Sequence, residues 1–218
     1  MSKHMLLGAI ALLSATLVWL TLVWSPAGDA PGRHTRLDLN APPAGGDFQL
    51  VSANGPVRLD DLRGKVVLLY FGYTACPDIC PTNLAIIALA LRALTPEELD
   101  RVQPIFVSVD PQRDAPEHLA DYVAYFHPSI IGVTGAEHEV SAVTAKYGAA
   151  YQRSEQPGSA MGYMVDHSAY TYLIDANGVL VDVLDHATPA EEIIQALRRQ
   201  LATPPTSTKQ AGRQAPAH

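Results

Sequence analysis

The longest apolar stretch of the chain runs from position 5 to position 24 without a charged side chain. A helix rising about 1.5 Å per residue carries that stretch across roughly 30 Å, the thickness of a bilayer core. Ser14, Thr16 and Thr21 are its polar members, and their hydroxyls can bond back to helix carbonyls. Lys3 precedes the run and Asp29 is the first charge after it. That asymmetry keeps residues 1–4 cytoplasmic and exports the rest, with Trp19 and Trp24 at the outer interface. A cleaved signal peptide competes, with Ser25-Pro26-Ala27 as its small-x-small site, but its apolar region is usually about 7–15 residues. Length favours a transmembrane anchor over residues 5–24. Either reading exports the remaining chain to a compartment where thiols oxidise unless protected.

Beyond the anchor the pattern breaks. Residues 25–46 are rich in Pro, Gly and Ala, show no periodicity, and read as a flexible tether. From residue 47 to 201 short apolar runs alternate with helical periods. Runs at 48–51 and 57–59 flank Asn54-Gly55, a hairpin signal. Residues 66–72 form a continuous apolar run, as in a strand buried on both faces, followed by an apolar helical run at 84–94. Thr95-Pro96-Glu97-Glu98 is a capping box that opens a short helix. Residues 104–109 predict a second central, parallel strand. Asp114 with Glu117 reads as another capping box, opening an amphipathic helix that stops before Pro128. A strand at 130–133, a helix at 137–147 and a Gly- and Met-containing loop at 156–167 come next. Strands at 169–174 and 179–184 are joined by Asp175-Ala176-Asn177-Gly178. Thr188-Pro189-Ala190-Glu191 caps a last helix reaching about Leu201, and residues 202–218 form a polar, Pro-rich, disordered tail. This order predicts an α/β fold, a mixed sheet flanked by helices.

Composition narrows the partners. The 218 residues are 48% apolar, enough for one core of ordinary size, and carry a net charge of −7. Lys209 and Arg213 lie in the tail and Lys3 before the anchor, so the middle of the chain is more acidic still. An acidic domain without a basic cluster argues against nucleic acid. Two cysteines are too few for a disulfide scaffold and suit one redox pair or one metal site.

Those cysteines, Cys76 and Cys80, follow the first buried strand and stand at the head of the next helix. On a helix, four residues apart, both sulfurs would lie on one face, and the unpaired N–H groups of a helix N-terminus favour thiolate. Inert burial or a plain structural disulfide is the bland alternative. Pro77, Pro81 and Asp78 around the pair, and its loop position, argue against it. A cysteine pair in the turn from the first central strand into its helix is what a thioredoxin-like fold shows. Three residues intervene here rather than the two of the thioredoxin redox motif. That spacing permits either a disulfide or a bound ion and does not choose between them.

Among eight histidines, His4, His34 and His218 lie outside the domain, and His118 and His138 fall in helical patterns. His127 sits at a helix end and His186 before the last helix. His167 opens a predicted central strand; alone, such a residue is more often a satisfied loop histidine than a ligand. In thioredoxin-like proteins the loop entering that strand packs against the cysteine turn, and oxidoreductases carry a cis-proline there. Here the nearest upstream proline is Pro157, and His167 holds the place. Two thiolates and an imidazole make a soft, three-coordinate set suited to Cu(I), whereas Zn²⁺ normally takes a fourth ligand.

Three segments then resemble the SCO/SenC family: Tyr70-Phe71-Gly72-Tyr73-Thr74-x-Cys76-Pro77-Asp78-Ile79-Cys80-Pro81, Val109-Asp110-Pro111-x-Arg113-Asp114, and Val165-Asp166-His167-Ser168. The resemblance implies a thioredoxin-like, membrane-anchored copper chaperone rather than an enzyme. It implies one copper ion per chain, Cu(I) or Cu(II), held by Cys76, Cys80 and His167. It implies cytochrome c oxidase subunit II as partner, whose copper A site such proteins assemble, with a copper donor and a thiol reductant upstream. The domain would face the periplasm from the inner membrane. Some members instead reduce the disulfide of that copper A site, with Cys76 and Cys80 as the redox pair. Asp78 and Asp166 match motif positions next to the ligands. Asp110, Arg113 and Asp114 read as an internal ion pair and helix cap. Met161 and Met164 read as loop packing.

Overall fold

A computed structural model describes residues 3–23, 38–155, 158 and 161–203. The chain divides into two compact units, Met1–Arg33 and His34–His218. The first contains helix α1 (Lys3–Val23), which covers the expected anchor up to Trp24; that residue and 25–37 lie outside the described residues. The Thr16 hydroxyl donates to the carbonyls of Leu12 and Leu13 at 2.8 and 2.9 Å, the back-bonding a hydroxyl needs on an apolar helix. Among the described residues no helix is long and apolar enough to cross a membrane.

The second unit is an α/β domain. In chain order it comprises β1 (Gln49–Ser52), β2 (Gly55–Arg58), β3 (Val66–Gly72), α2 (Ile79–Arg92), α3 (Pro96–Asp100) and β4 (Val102–Ser108). Then come α4 (Pro116–Phe126), β5 (Ile131–Val133), α5 (Glu137–Lys146), β6 (Tyr151–Glu155), β7 (Tyr163–His167), β8 (Thr171–Ile174), β9 (Leu180–Leu184) and α6 (Ala190–Ala202). The main sheet has the order β5-β4-β3-β8-β9. β3 runs parallel to β4 and antiparallel to β8, which makes the sheet mixed.

All seven residues of β3 are buried, as its unbroken apolar run requires of a strand covered on both faces. α2 buries Leu84, Ile87, Ala88 and Leu91 at helical spacing and packs on α6. Pro104 stands within β4 one position before pairing with β5 begins, where the strand can spare an N–H. The β8–β9 turn forms as expected: Asp175 Oδ1 accepts from the N–H groups of Asn177 and Val179, and Gly178 takes a φ of 79°.

Three expectations change. The stretch 156–167 is not a loop throughout, because Tyr163–His167 is β7, paired antiparallel with β6 in a sheet of its own. β6 was invisible because Tyr151-Gln152-Arg153-Ser154-Glu155 leaves no residue buried and so shows no period-two apolar face. Pro157 lies outside the described residues. The capping boxes also differ. Thr95 and Glu98 form theirs in full. Asp114 does not cap α4, whose N-cap is Ala115; its carboxylate turns into the core instead. Thr188 donates to the Asp185 carbonyl, and Pro189 occupies the N-cap of α6 without a side-chain bond.

Candidate metal centre

The site begins where β3 ends. Its last residue, Gly72, leads into a turn closed by the Cys76 N–H donating to the Tyr73 carbonyl at 3.3 Å. Asp78 occupies the N-cap of α2 but makes no side-chain cap bond. Cys76 Sγ fills that role, accepting from the Cys80 N–H at 3.5 Å. The expectation that both sulfurs share a helix face is therefore half right. Cys80 lies in the first turn of α2, whereas Cys76 precedes the helix and reaches its sulfur back over the helix end.

Gly72 lets Cys80 in. A Cβ at that position would lie 2.6 Å from Cys80 Sγ and 2.8 Å from the Phe106 ring. The third group arrives on β7. His167 ends that strand opposite Tyr151, and its Nε2 lies 3.1 Å from Cys80 Sγ. Its Nδ1 is 2.9 Å from the Ser168 carbonyl, an acceptor, so Nδ1 donates there and Nε2 is the nitrogen turned toward the sulfurs. Ser168 is itself fixed: its N–H donates to the Ala150 carbonyl, and its hydroxyl accepts from the Ala150 N–H and donates to the Asp38 carbonyl. Tyr70 and Tyr73 meet the imidazole edge to face, at 6.4 and 5.9 Å between centroids.

The donor atoms of Cys76, Cys80 and His167 all lie within 4.8 Å of one another, and the three residues are buried. Neither cysteine is in a disulfide. Their acidities are driven apart. The hydrogen bond from Cys80 holds the Cys76 thiol far below its ordinary range, to about 3, helped by His167 and by the N–H groups of Asp78 and Cys80. Burial, and the charge this leaves on Cys76, push Cys80 up. The titrations of the two sulfurs are coupled through that hydrogen bond.

Sequence reasoning missed the supports. The Asp114 carboxylate, fully buried, accepts from the Thr74 N–H at 3.0 Å, the Thr74 hydroxyl at 2.5 Å and the Ser108 hydroxyl at 2.6 Å. It ties the end of β4 to the turn before Cys76. The expected Asp110–Arg113 ion pair forms, and it also grips the histidine hairpin. The Tyr163 hydroxyl donates to Asp110 at 2.8 Å, Arg113 Nη1 donates to the Tyr163 carbonyl at 3.1 Å, and the guanidinium stacks 3.8 Å from the Tyr163 ring. Asn83, buried in α2, donates to the Thr171 hydroxyl at 3.0 Å. An aspartate before a proline-led helix reads as a cap in sequence, and only tertiary contact reveals where its carboxylate goes.

Asp78 and Asp166 lie outside the three-donor cluster. Met164 is buried and Met161 half-exposed, also outside it. His118 pairs with the Thr74 hydroxyl at 3.1 Å and His127 with the Ser129 hydroxyl at 2.7 Å.

Known proteins agree with this arrangement. The profile of the family described as SCO1/SenC matches residues 38–202. An SCO2-like protein of Rickettsia prowazekii is 41% identical over 157 residues, covering 72% of this chain and 76% of that one. Bradyrhizobium japonicum ScoI, solved with copper bound, is 38% identical with a TM-score of 0.65, covering 72% of this chain and 99% of that one. Yeast Sco1, also solved with copper bound, is 33% identical with a TM-score of 0.67, covering 79% and 97%. With the thioredoxin-like sheet and the two-cysteine, one-histidine centre in place, the chain belongs to the SCO1/SenC family, thioredoxin-like copper chaperones of cytochrome oxidase assembly.

Proposed function

We propose that this protein is a membrane-anchored copper chaperone that takes one copper ion per chain through Cys76 Sγ, Cys80 Sγ and His167 Nε2. It delivers that ion to the copper A site of cytochrome c oxidase subunit II. The observation that carries the reading is the convergence of three buried soft donors within 4.8 Å, with the imidazole Nδ1 held at the Ser168 carbonyl and Nε2 facing the sulfurs. Two thiolates and a neutral imidazole around Cu(I) leave a single negative charge, which the N-terminus of α2 offsets in part. Copper is cargo here. The chain preorganises donors for it, and a partner's thiols displace them one at a time. Helix α1 holds the domain at the extracytoplasmic face of the inner membrane, with residues 1–4 cytoplasmic.

Copper stoichiometry tests this. The parent should take up one equivalent and show thiolate-to-Cu(II) charge-transfer bands, while Cys76→Ser and Cys80→Ser lose both. His167→Ala should bind more weakly, and parent-like affinity in that variant would sink the three-ligand site.

A second reading, thiol–disulfide reductase, is favoured by the split acidities of the pair. The Cys76 thiolate would attack a partner disulfide, and Cys80 would then release the reduced partner by closing the Cys76–Cys80 disulfide. The midpoint potential of the pair decides it; a value too oxidising to reduce the partner excludes this role.

A further inference from the structure

Tyr70 and Gly72 are two residues apart on β3 and so face the same side of the sheet. Cys80 Sγ lies against Gly72, and the Phe106 ring packs on both, its edge at Gly72 and its centroid 6.1 Å from that of Tyr70. The His167 ring meets Tyr70 edge to face. Tyr70 thus belongs to the wall around the Cys80 sulfur. It is 1% exposed, yet its hydroxyl meets no hydrogen-bond partner among the described residues. A buried hydroxyl left unpaired costs stability and calls for a reason. A phenol hydroxyl at neutral pH is a donor.

We propose that Tyr70 is a positioning residue for the loaded site: its hydroxyl donates a hydrogen bond to the Cys80 sulfur once that sulfur is a metal-bound thiolate. This rests on the copper reading above. A neutral thiol is a weak acceptor, whereas a thiolate is a strong one, so the unmet hydroxyl gains its partner when the ion binds. Hydrogen bonding to a metal-bound cysteine sulfur draws charge from it and shifts the metal's potential. Tyr70 would weaken the Cys80–copper bond enough to favour the reduced ion and ease its transfer.

The chain supplies its own control. Tyr172 also buries an unpaired hydroxyl, but it packs on Phe71 and Tyr147, and no cysteine contributes to its acidity. Full-length Tyr70→Phe and Tyr172→Phe are loaded with one equivalent of Cu(II) and compared with the parent. The thiolate-to-copper band of Tyr70→Phe should move to longer wavelength and its copper potential should fall, while Tyr172→Phe matches the parent. Metal-free Tyr70→Phe should melt no lower than Tyr172→Phe. A Tyr70→Phe band superimposed on the parent's, or one displaced equally in Tyr172→Phe, overturns the proposal and leaves the copper site standing. A metal-free Tyr70→Phe that melts well below Tyr172→Phe overturns it too, since the hydroxyl would then serve the fold. A parent with no charge-transfer band removes the copper reading and the tyrosine's role with it.

Discussion

Replacing Gly72 with alanine adds one methyl group to the back of the copper site. The φ of Gly72 lies outside the positive region, so the backbone tolerates a side chain and only the space resists it. The new Cβ would stand 2.6 Å from Cys80 Sγ and 2.8 and 3.2 Å from two carbons of the Phe106 ring. Unstrained heavy-atom contacts lie at about 3.5–4.0 Å, so the sulfur or the strand must move by roughly 1 Å. Phe106 is fully buried and cannot yield. Overpacking a tight core costs about 1–3 kcal/mol. The functional loss should be larger, because metal–ligand distances tolerate only about ±0.2 Å and Cys80 Sγ now sits 3.1 Å from His167 Nε2. Urea unfolding of the metal-free protein measures the first effect, and copper titration with the charge-transfer spectrum the second. Gly72→Ala with a parent-like spectrum and less than about 0.5 kcal/mol lost would refute the claim that close approach fixes the sulfur.

Other expectations follow from the same contacts. Asp114→Ala strands the Thr74 and Ser108 donors at about 1–3 kcal/mol for each that stays buried and unmet, and should weaken copper binding as the turn before Cys76 loosens. Asp114→Asn, which keeps one acceptor oxygen, should lose less; equal losses argue against the hydrogen-bond account. Arg113→Ala frees Tyr163 at the start of β7 and should speed copper loss without abolishing uptake, measured by transfer to a chelator, because both thiolates remain. For pH, Cys76 keeps its thiolate to about 3 when folded, while an unfolded thiol takes its proton near 9. Between those values the unfolded chain binds more protons. The stability contributed by Cys76 is therefore fully present above that upper value and is lost as pH falls toward 3. Denaturation of the reduced, metal-free protein at several pH values should show this rise with pH, flattened in Cys76→Ser; matching slopes would contradict it.

The core of the fold was legible because its strands are buried on both faces. β3 and β4 are runs of apolar residues too short for helices, and such runs carry their own signal. The β1–β2 and β8–β9 hairpins were legible through Asn54-Gly55 and Asn177-Gly178, where the turn dictates residue type. The β6–β7 pair was not. No residue of β6 is buried, so nothing in its pattern distinguishes it from loop. Its existence depends on β7, and β7 depends on tertiary anchors at Asp110, Arg113 and Tyr73. Local sequence cannot report a strand that long-range contacts create.

The same distinction divides the site. Cys76, Cys80 and His167 were legible because soft ligands are rare and each must be of a particular chemical type. Their supports are ordinary residues whose meaning depends on where the chain brings them. Asp114 resembles a helix cap in sequence, and in space it is the acceptor that holds Thr74 two residues before Cys76. Gly72 resembles the end of a strand, and in space it is the gap into which Cys80 Sγ fits. Such residues matter because three donors on separate segments converge only if each segment is held independently. Asp114 holds the turn, Asn83 the start of α2 and Ser168 the imidazole. With the donors placed before an ion arrives, binding avoids the ordering cost that loose ligands would impose. The affinity of the centre is therefore set as much by the residues that sequence reading passed over as by the three it found.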